Sequence, residues 1–346
     1  MRKFLSVVFI LGAGVLGFFL ALLSPVDSSN PYRSSVLVLP GESLPEIAST
    51  LHNSGIVREP RAFEVLVRVR GKARELKAGP YRIASDQWAW QILDHLVSGD
   101  FADTSVTITE GLWMAEIGDR LEGWVKGGTP SFMKAVQDRA LLDELGLNED
   151  SAEGYLFPNT YRFMPQSPAP DIVRQMVLTF RQTWEQGLAA RARERGISMH
   201  DVVTLASIVE SEARVAAERP RIAAVYLNRL AQGVPLQADP TVVYGMGERR
   251  SRTLYADLKH PSPYNTYMHP GLPPGPICSP GVDAMKAVLW PASNCSDLYF
   301  VARGDGTHLF ARDFAGHLKN RRLVHDHSSV NEAGIATSPS LRRRGR

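Results

Sequence analysis

The sequence predicts an α+β protein: an N-terminal membrane helix, a small β-α-α-β subdomain, then a mainly helical domain with long loops and a C-terminal β-hairpin. Three observations predict it. Residues 4–23, "FLSVVFILGAGVLGFFLALL", carry no charge. A strand-turn-helix pattern at residues 36–51 returns without gaps at 106–121. From about residue 130 the apolar period becomes that of longer helices, interrupted by proline-rich loops.

The uncharged stretch is long enough to cross a bilayer as one helix, and Arg2 and Lys3 precede it. A cleaved signal peptide has a shorter apolar core and a small-x-small cleavage site, which "ALLSPVDSSN" offers poorly. The expectation is an uncleaved, single-pass anchor over 4–23 in the cytoplasmic (inner) membrane, with a cytoplasmic stub at 1–3. Basic residues stay on the cytoplasmic side, so the rest of the chain is expected to face the periplasm or exterior. Residues 24–34 read as a polar tether.

In the repeat, "VLVLPGESLPEIASTL" and "VTITEGLWMAEIGDRL" share Val36/Val106, Gly41/Gly111, Glu46/Glu116, Ile47/Ile117 and Leu51/Leu121. Each copy opens with β-branched alternation, turns at glycine and continues with helical spacing. After the first copy, "PRAFEVLVRVRG" reads as a second helix and "LKAGPYRI" as a returning strand, and "QWAWQILDHLVSG" adds a helix ended by Gly99. These segments form the subdomain, placed at 35–103.

The helical domain is placed at 104–325. Its expected helices are "PSFMKAVQDRALLDEL", "PDIVRQMVLTFRQTWEQGLAARARERG", the segment containing "TLASIVESEA", and "ERPRIAAVYLNRLAQG", with Pro220 near the start of the last and Gly233 at its stop. An aromatic loop, "AEGYLFPNTYRFMP", separates the first two. In "VPLQADPTVVYGMG" the "ADPT" ends an extended segment and opens a short helix. The proline-rich stretch 260–281 has no helical period and suits a cleft wall. "DLYFVARGDGTHLFARD" reads as a hairpin turning at "GDG". Residues 326–346, small and polar before a run of arginines, read as a disordered tail.

Composition excludes some functions. At 44% hydrophobic, 22% charged and a net charge of +3 over 346 residues, the chain is ordinary globular protein without a basic, aromatic-interleaved patch, so no nucleic-acid partner is expected. Histidine pairs such as His260 with His269, or His325 with His327, lack a third ligand, and neither a metal nor another cofactor is expected. Cys278 and Cys295 could bridge in an oxidising compartment; two free thiols are the other reading, and the sequence leaves both open.

Two glutamates interrupt the small and apolar run "TLASIVESEA", residues 204–213. At about 100° per residue, Val202, Leu205, Ala206, Val209 and Ala213 share one stripe. Glu210 lies beside that stripe, next to Ala206 and Ala213, whereas Glu212 is roughly 160° away on its far edge. One helix therefore cannot bring both to one cleft. Ser198 and Asp201 stand at capping-box spacing, so the helix is expected to start there. A carboxyl among apolar and small neighbours favours its protonated form, as a general acid requires; a solvated helix edge is the alternative. Tyr155, Phe157, Tyr161, Gln237, Tyr264, Asn265 and Tyr267 supply the aromatic faces, amides and hydroxyls that bind sugars, with core packing the alternative for each aromatic.

"EGYLFPNTYRF", "LASIVESEA", "IAAVYLNRL", "PLQADPTVVYG", "SPYNTYMHPGLPPGPICSPG" and "LYFVARGDGTHLF" resemble, in order and spacing, the YceG-like endolytic murein transglycosylases (MltG) over about residues 36–318. The resemblance implies a single-pass membrane protein in which the subdomain at 35–103 is LysM-like and residues 104–325 are catalytic. It maps the family's catalytic glutamate onto Glu210. One departure stands out: the loop motif is usually "FPDTY", and here Asn159 replaces the acid, which a turn-capping role would tolerate.

The implied reaction cuts peptidoglycan glycan strands internally, between N-acetylmuramic acid and N-acetylglucosamine, without consuming water. Glu210 would protonate the glycosidic oxygen and then accept the proton of the muramoyl C6 hydroxyl as a 1,6-anhydro ring closes. Gln237, Tyr264, Asn265, Tyr155 and Glu218 are the residues expected to hold substrate. Peptidoglycan synthases are the expected partners, since a membrane-anchored site would meet nascent strands and end their elongation. Two alternatives stay open: a glycoside hydrolase pairing Glu210 with Asp239, and a non-catalytic, membrane-anchored wall-binding scaffold.

Overall fold

The computed structural model describes residues 2–102, 105–250 and 253–324, with side chains from residue 12 onward. The expected tail at 326–346 lies outside the described residues. The chain is mixed α/β, about half helical, with three two-stranded sheets among the described residues. It divides into two units, 1–106 with 161–167, and 107–160 with 168–346.

The first unit opens with α1 (Arg2–Leu22), followed by β1 (Arg33–Val38), α2 (Leu44–Asn53), α3 (Pro60–Val69), β2 (Gly79–Ala84) and α4 (Ala89–Ser98). The expected β-α-α-β order is present, and β1 pairs antiparallel with β2 in a register that sets Val36 against Tyr81. Alternate strand residues Val36, Val38, Tyr81 and Ile83 and the helix residues Ile47, Leu51, Phe63, Ile92 and Leu96 bury into one core. Gly99 ends α4 in the left-handed conformation (φ 73°), which glycine adopts without a Cβ penalty. Phe63 is fully buried, and Phe63→Ala is expected to cost about 3–5 kcal/mol, read as a lower midpoint in urea unfolding followed on this unit.

Among the described residues no helix is long and apolar enough to cross a membrane. Of the span expected at 4–23, residues 4–11 lack described side chains; the later part of α1 exposes Val15, Leu16 and Phe18, while Leu23 is buried in the core.

The second unit runs through β3 (Ser105–Ile108), α5 (Met114–Arg120), α6 (Gly128–Ala135), α7 (Arg139–Glu144), β4 (Asn159–Arg162), α8 (Ala169–Gly187), α9 (Ala189–Arg195), α10 (Met199–Glu212), α11 (Arg219–Ala231), α12 (Asp239–Gly245), α13 (Val282–Leu289), β5 (Tyr299–Ala302) and β6 (His308–Ala311); the first two residues of β3 and the last two of β4 are counted with the first unit. Residues 314–324 form a last helix that the sequence reading lacks. The "ADPT" helix is α12, and the expected hairpin is β5–β6, with Gly304 and Gly306 both at positive φ in its turn.

The repeat has a physical basis in both copies. Gly41 and Gly111 occupy left-handed φ of 87° and 77°. Glu46 and Glu116 each accept the backbone N–H at their helix start, Ser43 N at 2.7 Å and Trp113 N at 2.8 Å. Each pair thus turns the chain and satisfies a donor that the first helical turn cannot.

Two long helices expected from the sequence are broken. The first divides into α6 and α7 where the Asp138 side chain accepts Leu141 N–H at 3.0 Å, starting a new helix. The second divides into α8 and α9 at Gly187 and Leu188, whose φ of −110° departs from the helical mean. Helical spacing persists through both breaks, which hides them from periodicity.

At the centre lies α10, whose Ser198 caps Asp201 N–H at 3.0 Å as expected. Every residue from Val202 to Val209 is buried, Thr204 and Ser207 included, against α9, α11, α12 and α13. An apolar stripe is therefore an underestimate: the helix is enclosed on all sides. Ser207 fits because its hydroxyl donates to Thr204 O at 2.7 Å and accepts Ile277 N–H at 2.9 Å.

Candidate active site

Glu210 leaves this enclosed helix near its C-terminal end, with a side chain only 7% exposed. Arg219, at the start of α11, donates to Glu210 Oε1 at 2.8 Å, and Gly281 N–H donates to Oε2 at 3.1 Å. The neighbours of the carboxylate are thus a cation and a backbone donor. This corrects the expectation of an apolar, small-residue setting, because residues 219 and 281 reach it only through the packing of α11 and α13 on α10.

A second acid stands on the same cation. Glu110 Oε2 lies 3.7 Å from Arg219 Nη2, the nitrogen that meets Glu210. Glu110 stands two residues past the end of β3, and its turn is pinned on the proline-rich loop by Gly111 N–H to Ser279 O at 2.8 Å and Ser279 N–H to Leu112 O at 2.9 Å. Burial, reinforced by the Glu210 and Asp283 carboxylates and opposed by Arg219, pushes the Glu110 carboxyl above the usual range.

Glu110 and Glu210 line one shallow cleft of about 570 Å³, together with Thr107, Thr109, Pro158 and Asn159. Asn159 therefore borders the cleft at the start of β4, and its Oδ1 accepts Thr160 N–H at 2.8 Å. It is a cleft-wall residue rather than the turn cap expected of it.

The remaining expected site residues lie elsewhere. Asn265 is fully buried and spent on its own loop: Nδ2 donates to Leu258 O and His260 O at 3.0 and 2.9 Å, and Oδ1 accepts Tyr267 N–H at 3.0 Å. Tyr155 is also fully buried, its hydroxyl 2.9 Å from Glu149 and 3.2 Å from His200. Glu218 accepts His308 N–H at 3.1 Å and meets His308 Nδ1 at 2.7 Å, tying the hairpin to α11. Tyr264 lines a separate cavity of about 370 Å³ with Glu149 and His200. Gln237, held at a left-handed φ of 52°, lines another of about 520 Å³.

Glu212 also borders that cavity, in keeping with its angle on the helix. It accepts the Tyr226 hydroxyl at 2.9 Å, and burial pushes its carboxyl up to about 7. Asp239, the first residue of α12, accepts the Tyr267 hydroxyl at 2.6 Å. Cys278 and Cys295 are free thiols, and Cys278 donates to Ser207 O at 3.3 Å.

Sequence reasoning missed Glu110, Arg219 and Gly281. A signal for the first exists inside the repeat: with Gly41 aligned to Gly111, Glu110 stands where the first copy has Pro40.

The chain that carries this cleft has counterparts among known proteins. A profile of the YceG-like family matches residues 36–323, and the chain belongs to that family. It is 31% identical over 317 residues to a Bacillus subtilis (strain 168) protein named endolytic murein transglycosylase, across 86% of this chain and 87% of that one. A Streptococcus pneumoniae serotype 2 protein of the same name is 27% identical over 355 residues, covering 92% of this chain but 64% of its own length. A crystal structure of a yceG-like protein from Listeria monocytogenes aligns with a TM-score of 0.60 at 30% identity, across 84% of this chain and 99% of that one.

Proposed function

We propose that this protein is an endolytic murein transglycosylase that cuts peptidoglycan glycan strands between N-acetylmuramic acid and N-acetylglucosamine. The observation that carries the reading is the Glu210 carboxylate, ordered between Arg219 and Gly281 N–H at the edge of an open cleft, in a chain related over most of its length to proteins of that name. An open cleft admits a strand along its length, as internal cutting requires.

Glu210 works on the scissile bond. As the bond from C1 to the glycosidic oxygen breaks, its electron pair stays on that oxygen, which takes up a proton. The muramoyl C6 hydroxyl oxygen bonds to C1 and gives up its own proton, closing the 1,6-anhydro ring. No water enters, and one proton is delivered for each proton recovered. In the simplest division Glu210 performs both transfers in turn. A hydrolase pairing Glu210 with Asp239 gains no support, because Asp239 is held by Tyr267 and does not line the Glu210 cleft.

The same reading makes α1 the end of an inner-membrane anchor, which the exposed Val15, Leu16 and Phe18 favour. The catalytic part then faces the periplasm or exterior. The β-α-α-β unit is a LysM-like module that grips glycan, and synthases of the nascent strand are the natural partners. The test is the mass of the products from digested sacculi. Transglycosylation is expected to leave fragments ending in 1,6-anhydro-N-acetylmuramic acid, lighter by one water per cut than hydrolytic fragments, and internal cutting to give mixed lengths from the first minutes. Reducing ends in place of anhydro ends would overturn the reading.

A further inference from the structure

A proton delivered to a leaving oxygen must already sit on a carboxyl that keeps it, and Glu210 is poorly arranged for that. Its two oxygens each accept a hydrogen bond, from Arg219 and from Gly281 N–H, the posture of a proton acceptor. The complementary posture belongs to Glu110. Its carboxyl is 46% exposed in the cleft, shares Arg219 Nη2, and also faces Asp283. Arg249 donates to Gly111 O beside it but is itself paired with Glu116.

Two geometric facts tie Glu110 to Glu210. Their oxygens can be no farther apart than the sum of the 2.8 and 3.7 Å separations from the one nitrogen between them. That limit does not exceed the short end of the roughly 6.5–9.5 Å gap that a pair acting through an intervening water keeps, so both carboxyls can reach one glycosidic bond. The second fact is Gly281. A Cβ there would stand 1.9 Å from Glu110 Oε1, although the backbone at Gly281 (φ −75°) is one any residue adopts. The missing side chain makes room for the Glu110 carboxyl, while the N–H of the same residue holds Glu210.

We propose that Glu110 is a second catalytic carboxylate of the strand-cutting reaction, the proton donor to the glycosidic oxygen, with Glu210 the acceptor of the C6 hydroxyl proton. This rests on the reading of Glu210 given above and divides the labour within it. The C1–oxygen bond breaks as the departing oxygen takes the Glu110 proton; the C6 oxygen bonds to C1 as its proton passes to Glu210; the proton then crosses from Glu210 to Glu110 and restores the starting state. The upward push on Glu110 from burial and from its two carboxylate neighbours supports the donor role.

The test compares full-length wild type, Glu110→Gln, Glu110→Asp, Gly281→Ala and Glu210→Gln in detergent, with purified sacculi as substrate and melting temperature as the check of fold. Glu110→Gln is expected to lower kcat by roughly 100-fold or more, to leave KM within about twofold, and to abolish the alkaline limb of the rate profile, which reports loss of the donor proton. Glu110→Asp, which keeps the acid, is expected to recover part of the rate and the limb. Gly281→Ala leaves both carboxyls chemically intact but displaces one, and is expected to lose roughly tenfold or more in kcat. A folded Glu110→Gln within about threefold of wild type, or one that slows while keeping the alkaline limb, overturns the proposal. So does an unchanged kcat in Gly281→Ala. If Glu110→Gln is unaffected while Glu210→Gln is dead, only the division of labour falls. If Glu210→Gln runs at wild-type speed, the reading of the site itself falls.

Discussion

Glu210→Gln is expected to reduce the release of anhydro-ended fragments by roughly 10³-fold while the protein still folds and still sediments with sacculi. Glutamine keeps the shape and one acceptor oxygen, so Gly281 N–H or Arg219 retains a partner, and the buried run from Val202 to Val209 is untouched. What disappears is the negative charge. Among the described residues Arg219 keeps the Glu110 carboxyl 3.7 Å away, an acceptor that limits the cost of removing its partner in a nearly buried site. The melting temperature should therefore fall modestly and the rate severely, a split that a role in binding alone cannot produce. A wall-binding scaffold predicts no change in the wild-type phenotype on this substitution. Native-speed release of anhydro ends by a folded Glu210→Gln protein would sink the assignment.

Local patterns were legible in the sequence because each is set by residues close in the chain. The repeat reads directly, since a left-handed glycine and a capping glutamate recur at fixed spacing. Glu210 and Glu212 separate by angle alone, and they line different cavities. Two of the expected substrate residues are spent on structure for one shared reason: an amide or hydroxyl that could bind sugar can equally satisfy a buried loop. Asn265 and Tyr155 do the latter, and no local pattern distinguishes the two uses.

The constellation around Glu210 was illegible for a different reason. Glu110, Arg219 and Gly281 converge from a turn, a helix start and a proline-rich loop separated by many residues, and only the packing of α10 against α11 and α13 brings them together. The breaks at Asp138 and Leu188 were hidden because the apolar spacing runs on past them.

Two acids away from the cleft set the second large expectation: the 107–160 and 168–346 unit should be markedly more stable at pH 5 than at pH 8. Glu153, fully enclosed, accepts Met114 N–H on both oxygens at 3.1 and 3.0 Å and the Tyr244 hydroxyl at 3.2 Å. Burial nevertheless outweighs these bonds and pushes its carboxyl up to about 7. Burial raises Glu212 to about 7 as well. For an acid raised on folding, the folded state holds more protons than the unfolded one between the unfolded value of about 4.5 and the folded value. The stabilisation is complete below the former and is lost as pH rises through the latter. Each group contributes on the order of 3 kcal/mol across that window. Carboxylates drawn downward, such as Glu46 and Glu144, are ionised throughout it and add no slope. His317, lowered by burial, slopes the opposite way, but one partly buried imidazole does not balance two enclosed acids. Calorimetric melting of the full chain at constant ionic strength should show the wild type losing stability from pH 5 to 8. The Glu153→Gln, Glu212→Gln double variant should lose most of that slope, because each glutamine still accepts the hydroxyl of Tyr244 or Tyr226 without a charge to desolvate, while Glu110 and His317 keep their own contributions. A wild type equally stable at both ends, or a double variant that keeps the full slope, would show that these acids are paid for by contacts other than those their burial implies.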